Sequence, residues 1–168
     1  MSFVSDSVPD SNRQGTSVAQ TRRVDLLTLI TELLEFRGTV ILRNEFGTME
    51  LRGTDLALKH SDEWITLYHA SAANSEHRSH LHLRRSAFAY AEVIEREGGT
   101  AQVGFWKTKA DVPAAVLQPA DSRTGKPPFA MFFAPFYDWS GPEKKALPEN
   151  QARFAAWLNQ NGRAFTIM

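Results

Sequence analysis

The sequence predicts an α+β protein: a large antiparallel β-sheet with an N-terminal and a C-terminal helix packed on it. Three observations lead there. Apolar residues recur with the helical period near the start of the chain and again near its end, the mark of helices that bury one face. Between them the period becomes two, as in half-buried strands. The strands are not interleaved with helices, which argues against a doubly wound parallel sheet.

Taken in order, residues 1–20 are rich in Ser, Asp, Asn, Gln and Gly without apolar periodicity. They are expected to be a disordered tail, leaving 21–168 as one α+β domain. Val24 to Phe36 reads as a helix, because Leu26, Leu29, Ile30, Leu33 and Leu34 cover one face. Gly38 follows, where a left-handed cap costs glycine least. Thr39–Arg43 and Thr48–Arg52 flank a turn at Asn44–Gly47, a predicted hairpin. Strands are expected at Asp55–Lys59 and Glu63–His69, with a polar loop over Ser71–Glu76.

Arg78–Arg84 and Ser86–Glu95 read as two strands or one bent strand, the second with Ala87, Ala89 and Ala91 on one face and Phe88 and Tyr90 on the other. Glu97-Gly98-Gly99 turns the chain into Thr100–Lys107, closing a hairpin. Lys109–Lys126, with its prolines and little pattern, is a long loop. Phe129–Phe133 is nearly continuously apolar, which suits a central strand covered on both faces. Phe136–Pro142 is an aromatic turn segment. A last helix starts at Pro148, a favoured first-turn residue, and stops at Gly162.

Composition narrows the function classes. Forty-two per cent hydrophobic and 23% charged residues over 168 positions are ordinary for one globular domain with a real core. The absence of cysteine excludes disulfides, thiolate metal sites and covalent c-type haem attachment. Nineteen basic and nineteen acidic residues cancel, so no broad positive field for nucleic acid is expected. No apolar run is long enough to span a bilayer, and Met1–Gln20 lacks the pattern of a secretory leader. A cytoplasmic location with no membrane partner is the expectation. Glycine-rich dinucleotide loops, Walker-type loops, H-E-x-x-H and G-x-S-x-G are all missing, so nucleotide-dependent and serine-hydrolase chemistry have no foothold.

The chemistry-bearing segment is His77-Arg-Ser-His80-Leu-His82-Leu-Arg84. On a strand, Arg78, His80, His82 and Arg84 share one face while Leu81 and Leu83 share the other. Imidazole is a common axial ligand of haem iron, and arginine is the side chain best shaped to pair with carboxylates such as haem propionates. The same alternation also describes a merely solvated strand face. His-x-His can hold a non-haem metal as in cupin barrels, but the glutamate that pattern needs is replaced by Ser86 and Ala87. Aromatics such as Trp106 and Trp139 are candidates for a pocket wall, or core residues.

The run from His80 through Leu81, His82 and Leu83 to Glu95 resembles the His-x-His-Leu strand and following small-and-apolar strand of the ChuX/HutX/HemS haem-utilisation family. Ala101–Trp106 and Phe129–Phe133 are similar to that family's paired strands before its final helix. The likeness covers Val24 to the C-terminus in arrangement and His80–Glu95 at residue level. Leu81 stands where the family commonly has glycine, Lys109–Lys126 looks like an insertion, and Phe136–Pro142 replaces an acidic-arginine pattern. The resemblance implies a HemS/ChuX-like fold and a homodimeric haem carrier or storage protein in iron utilisation. It implies His82 or His80 as the iron ligand, with His69 and Tyr68 as further alternatives, and Arg78, Arg84 or Arg85 on the propionates. A haem-degrading enzyme, and an interaction protein that keeps the fold without the ligand, are the alternatives on the same scaffold.

Overall fold

The computed structural model describes residues 21–44, 47–51, 55–72, 79–96, 100–111, 129–134, 137–138 and 145–168. Among the described residues, twelve strands and two α-helices run in the order β1 (Arg22–Val24), α1 (Leu26–Leu34), β2 (Thr39–Asn44), β3 (Thr48–Leu51), β4 (Leu56–His60), β5 (Trp64–His69), β6 (His80–Arg84), β7 (Tyr90–Arg96), β8 (Thr100–Trp106), β9 (Phe129–Ala134), β10 (Tyr137–Asp138), β11 (Lys145–Ala146), α2 (Pro148–Asn161), β12 (Ala164–Ile167). The α+β class holds. The strands are divided among a seven-stranded sheet in the order β1-β12-β7-β8-β9-β2-β3, a three-stranded sheet β4-β5-β6 and a two-stranded ribbon β10-β11.

Both predicted hairpins form, β2 with β3 and β7 with β8. β9 lies inside the large sheet, between β8 and β2, where an apolar run belongs. Three features differ from the sequence reading. The large sheet is not wholly antiparallel, because β1 and β12 pair in parallel at its edge; neither short strand has enough alternation to be read alone. The segment 85–89 is a turn rather than the start of a strand. It carries the chain from the small sheet to the large one, so Ala87 and Ala89 share no strand face with Ala91. The left-handed residue after α1 is Arg37 at φ 51°, not Gly38. The predicted tail 1–20, most of the 109–126 loop and most of the 136–142 turn lie outside the described residues.

Helix α1 starts at Asp25, whose carboxylate accepts from the backbone N–H of Leu27 at 3.0 Å and of Thr28 at 3.3 Å, satisfying donors with no partner inside the helix. Its apolar stripe enters one core with Ile65, Leu67, Leu81 and Leu83 of the small sheet. Ala91, Val93, Ala101, Val103, Phe105, Phe165 and Ile167 of the large sheet and Phe154 of α2 complete it. Ile41, Tyr90, Ile94 and Trp106 form a second cluster on the opposite face of the large sheet. Among the described residues no helix is long and apolar enough to cross a membrane.

Polar clamps tie the helices together. Arg22 donates to both carboxylate oxygens of Glu32 at 2.7 Å and to Asn161 Oδ1 at 2.7 Å, while Trp157 Nε1 donates to Glu32 at 3.1 Å. These hydrogen bonds, chiefly those from Arg22, hold the Glu32 carboxyl below the usual range against the opposing effect of burial. A depressed carboxylate contributes stability that is complete above the ordinary glutamate range and lost as the pH falls through its lower folded value. Glu32→Gln is therefore expected to cost about 1.5 kcal/mol at neutral pH. Urea unfolding should show the difference from wild type closing in acid.

Candidate functional site

The histidine strand β6 behaves as alternation dictates. Leu81 and Leu83 are buried, whereas His80, His82 and Arg84 are exposed. β6 pairs antiparallel with β5, setting Trp64 opposite Arg84, Thr66 opposite His82 and Tyr68 opposite His80. These six residues share the outer face of the small sheet with Ala57 and Lys59 of β4, and the inner face packs into the core.

Tertiary pairing adds what the strand sequence lacks. The Thr66 hydroxyl and His82 Nδ1 are 2.9 Å apart. With Nδ1–H donating to that oxygen, Nε2 carries the lone pair and is the nitrogen left for a ligand. Thr66 is only 7% exposed although it sits on the outer face, so this partner is sheltered from competing water. The His80 and His82 rings meet at 4.7 Å in an edge-on arrangement, and Trp64 approaches His82 at 6.4 Å. The Arg84 guanidinium lies 5.1 Å from the Trp64 ring centre, a cation–π contact that fixes it over the indole. Its ion pair with Glu63 is long, at 3.9 Å, and well exposed, and such pairs hold little energy.

Trp64 is placed by the β4–β5 turn, where Ser61 Oγ accepts from Trp64 N at 3.2 Å and Ser61 N donates to Trp64 O at 2.9 Å. It is 37% exposed, so a flat apolar surface faces outward. Together with His82, Leu83, Arg84, Ser86, Ala87 and Lys107 it lines an open cleft of about 590 Å³, within the size range of small-molecule sites.

The other sequence candidates fall elsewhere. His69 has the parity of Ile65 and Leu67, which face inward, so it does not join the histidine face. Its Nδ1 is 3.0 Å from Asp55 Oδ1. Asp55 also accepts from the Ser71 hydroxyl and, at 3.1 Å, from Ser71 N. The Ser71 hydroxyl first, and His69 next, push its carboxyl far below the usual range, so this cluster ties down the end of β5. Arg85 turns to Asp25 at the start of α1, 3.4 Å away, and serves the helix cap. Tyr68 is on the histidine face opposite His80. Arg78 and Trp139 lie outside the described residues. Trp106 is fully buried in the cluster on the far face of the large sheet and is not among the residues lining this cleft.

Three participants escaped the sequence reading, Trp64, Thr66 and Lys107. Thr66 is identified only by strand register, and Lys107 only by the approach of the two sheets. Among the described residues no three His, Cys, Asp or Glu side chains gather as a metal site. An iron centre at this face would rest on an imidazole or on the Tyr68 oxygen opposite His80, and a single such ligand holds haem, with its own four nitrogens, in many proteins. The donor set fits that group: an oriented imidazole, an indole wall and a guanidinium. No family model, curated protein or solved structure matches the chain.

Proposed function

We propose that this protein binds haem non-covalently as a carrier or storage protein in haem utilisation, with His82 as the axial ligand. One observation carries the reading: His82 lines the cleft beside Trp64 and Arg84, and its Nδ1 is tied to Thr66 at 2.9 Å. His80 is the second candidate, since its ring adjoins that of His82 at 4.7 Å, but it is not among the lining residues. Bound haem would supply an iron that accepts the imidazole nitrogen. The protein's part is to orient that nitrogen, cover one porphyrin face with an indole and pair the propionates with Arg84. A homodimer belongs to the same reading and rests on the family resemblance.

The test is a haemin titration of the purified protein followed by its Soret band, beside a His80→Ala/His82→Ala double variant. A saturable one-to-one shift that the variant loses supports haem ligation by this strand. Turnover with a reductant would then separate a degrading enzyme from a carrier. No shift in the wild type, or an unchanged shift in the variant, overturns the proposal.

A second reading has its own observation. His80, His82 and Arg84 are all exposed, as they would be in an interaction module that keeps the scaffold without a cofactor. Failure of the wild type to bind haemin is the outcome that favours it.

A further inference from the structure

The end of β5 holds a second oriented imidazole, away from the cleft and independent of the haem reading. Asp55 immediately precedes β4 and His69 closes β5, and the two strands pair antiparallel with Leu56 opposite His69. That register sets the Asp55 carboxylate beside the ring, with Oδ1 3.0 Å from His69 Nδ1. Further bonds hold the carboxylate itself. Ser71 donates to Oδ2 through its backbone N–H at 3.1 Å and through its hydroxyl. Ala70 N donates to Asp55 O at 2.9 Å, so the turn after β5 folds back on Asp55.

An ionised carboxylate only accepts, which puts the shared proton on His69 Nδ1. Asp55 stays ionised well into acid, because the Ser71 hydroxyl and then His69 hold its carboxyl far below the usual range. Nε2 of the neutral ring therefore carries the lone pair. Among the described residues nothing hydrogen-bonds to Nε2. It is not one of the buried polar atoms without a partner, so solvent reaches it. His69 keeps 24% of its side-chain surface exposed, and Ala70 and Ser71 beyond it are exposed.

The order of the groups decides the chemistry. The aspartate lies between the serine and the histidine, so Ser71 gives its hydroxyl hydrogen to Asp55 and gains no base. The imidazole is the activated group. Positive charge developing on its ring is offset by the carboxylate at Nδ1, the part an aspartate plays in hydrolytic triads. His82 lacks that support, since its Nδ1 meets a neutral hydroxyl.

We propose that His69 Nε2 is a nucleophile for small activated acyl groups, with Asp55 as its positioning residue. Nε2 attacks the acyl carbon, an N–C bond forms, and the leaving group departs with the electron pair of the bond that breaks. The acylated ring keeps its Nδ1 proton, bonded to Asp55. Water then attacks the acyl carbon and the N–C bond breaks. The carboxylic acid leaves, the neutral imidazole returns, and the proton lost from water goes to the leaving group.

Two probes test this on the full chain without haemin. Diethyl pyrocarbonate, with the modified peptides followed by mass spectrometry, compares histidines within one molecule. His69 is expected to react about tenfold faster than the exposed His60, and Asp55→Asn to bring it down to the His60 rate. Far-UV circular dichroism checks the fold of the variant. Ser71→Ala, which leaves the His69–Asp55 bond in place, should slow His69 by a smaller factor and serves if Asp55→Asn does not fold. The second probe is p-nitrophenyl acetate, whose turnover His69→Gln should lose. Reaction of His69 no faster than that of His60, or undiminished in both Asp55→Asn and Ser71→Ala, overturns the dyad. Ester hydrolysis by His69→Gln at the wild-type rate overturns acyl transfer. Neither readout depends on haemin binding.

Discussion

Phe105→Ala is expected to lower the unfolding free energy by about 4 kcal/mol, the cost of deleting a fully buried phenylalanine side chain. Phe105 is 0% exposed in β8, which lies between β7 and β9, and its ring packs on Phe88 at 5.7 Å. The loss should spread beyond β8. Phe105 belongs to the cluster that also holds Leu81 and Leu83, so it supports the underside of the histidine strand through the core. Phe88 lies in the turn between the two sheets and would lose an aromatic neighbour. Chemical unfolding measures the stability change. Hydrogen exchange should show faster opening of β6 as well as β8, because local openings follow shared core contacts. A loss below 1 kcal/mol would mean that the two sheets do not share this core.

Gly104→Ala is expected to cost about 3 kcal/mol, near the upper end of what one added methyl does in a packed interior. The glycine faces the second cluster, where the Trp106 side chain lies across it; a Cβ at position 104 would overlap the indole ring. Trp106 is fully buried and lies beside Tyr90 at 6.5 Å, so the ring has no vacant space to enter. The substitution should displace it, unfold more readily and shift tryptophan emission to longer wavelength. Retention of wild-type stability and emission would contradict the close packing of Trp106 on Gly104. The glycine is needed here for proximity rather than for a special backbone angle, a requirement invisible in the sequence Val103-Gly104-Phe105.

What the sequence disclosed follows from what is local. The alternation His80, Leu81, His82, Leu83, Arg84 states which side chains face out, and the structure keeps that division. The hairpins and the Pro148 start of α2 were legible for the same reason, and Gly162, at φ 78°, closes that helix as glycine can. Register is not local. Nothing in Trp64-Ile-Thr66 says that Thr66 will face His82 or that Trp64 will carry Arg84, since those pairs arise when β5 meets β6. The turn at 85–89 was hidden because Ser86–Glu95 has a strand-like composition throughout, and only the need to pass between two sheets ends the pattern. His69 and Arg85 share the neighbourhood of the site in sequence, yet strand parity and the Asp25 cap draw them to other partners.

Whether His82 meets iron from the wall of this cleft is tested most directly by haemin titration of the two single variants, His82→Ala and His80→Ala. The expected result is loss of the saturable Soret shift in His82→Ala and its retention in His80→Ala. Full binding by His82→Ala would contradict that assignment.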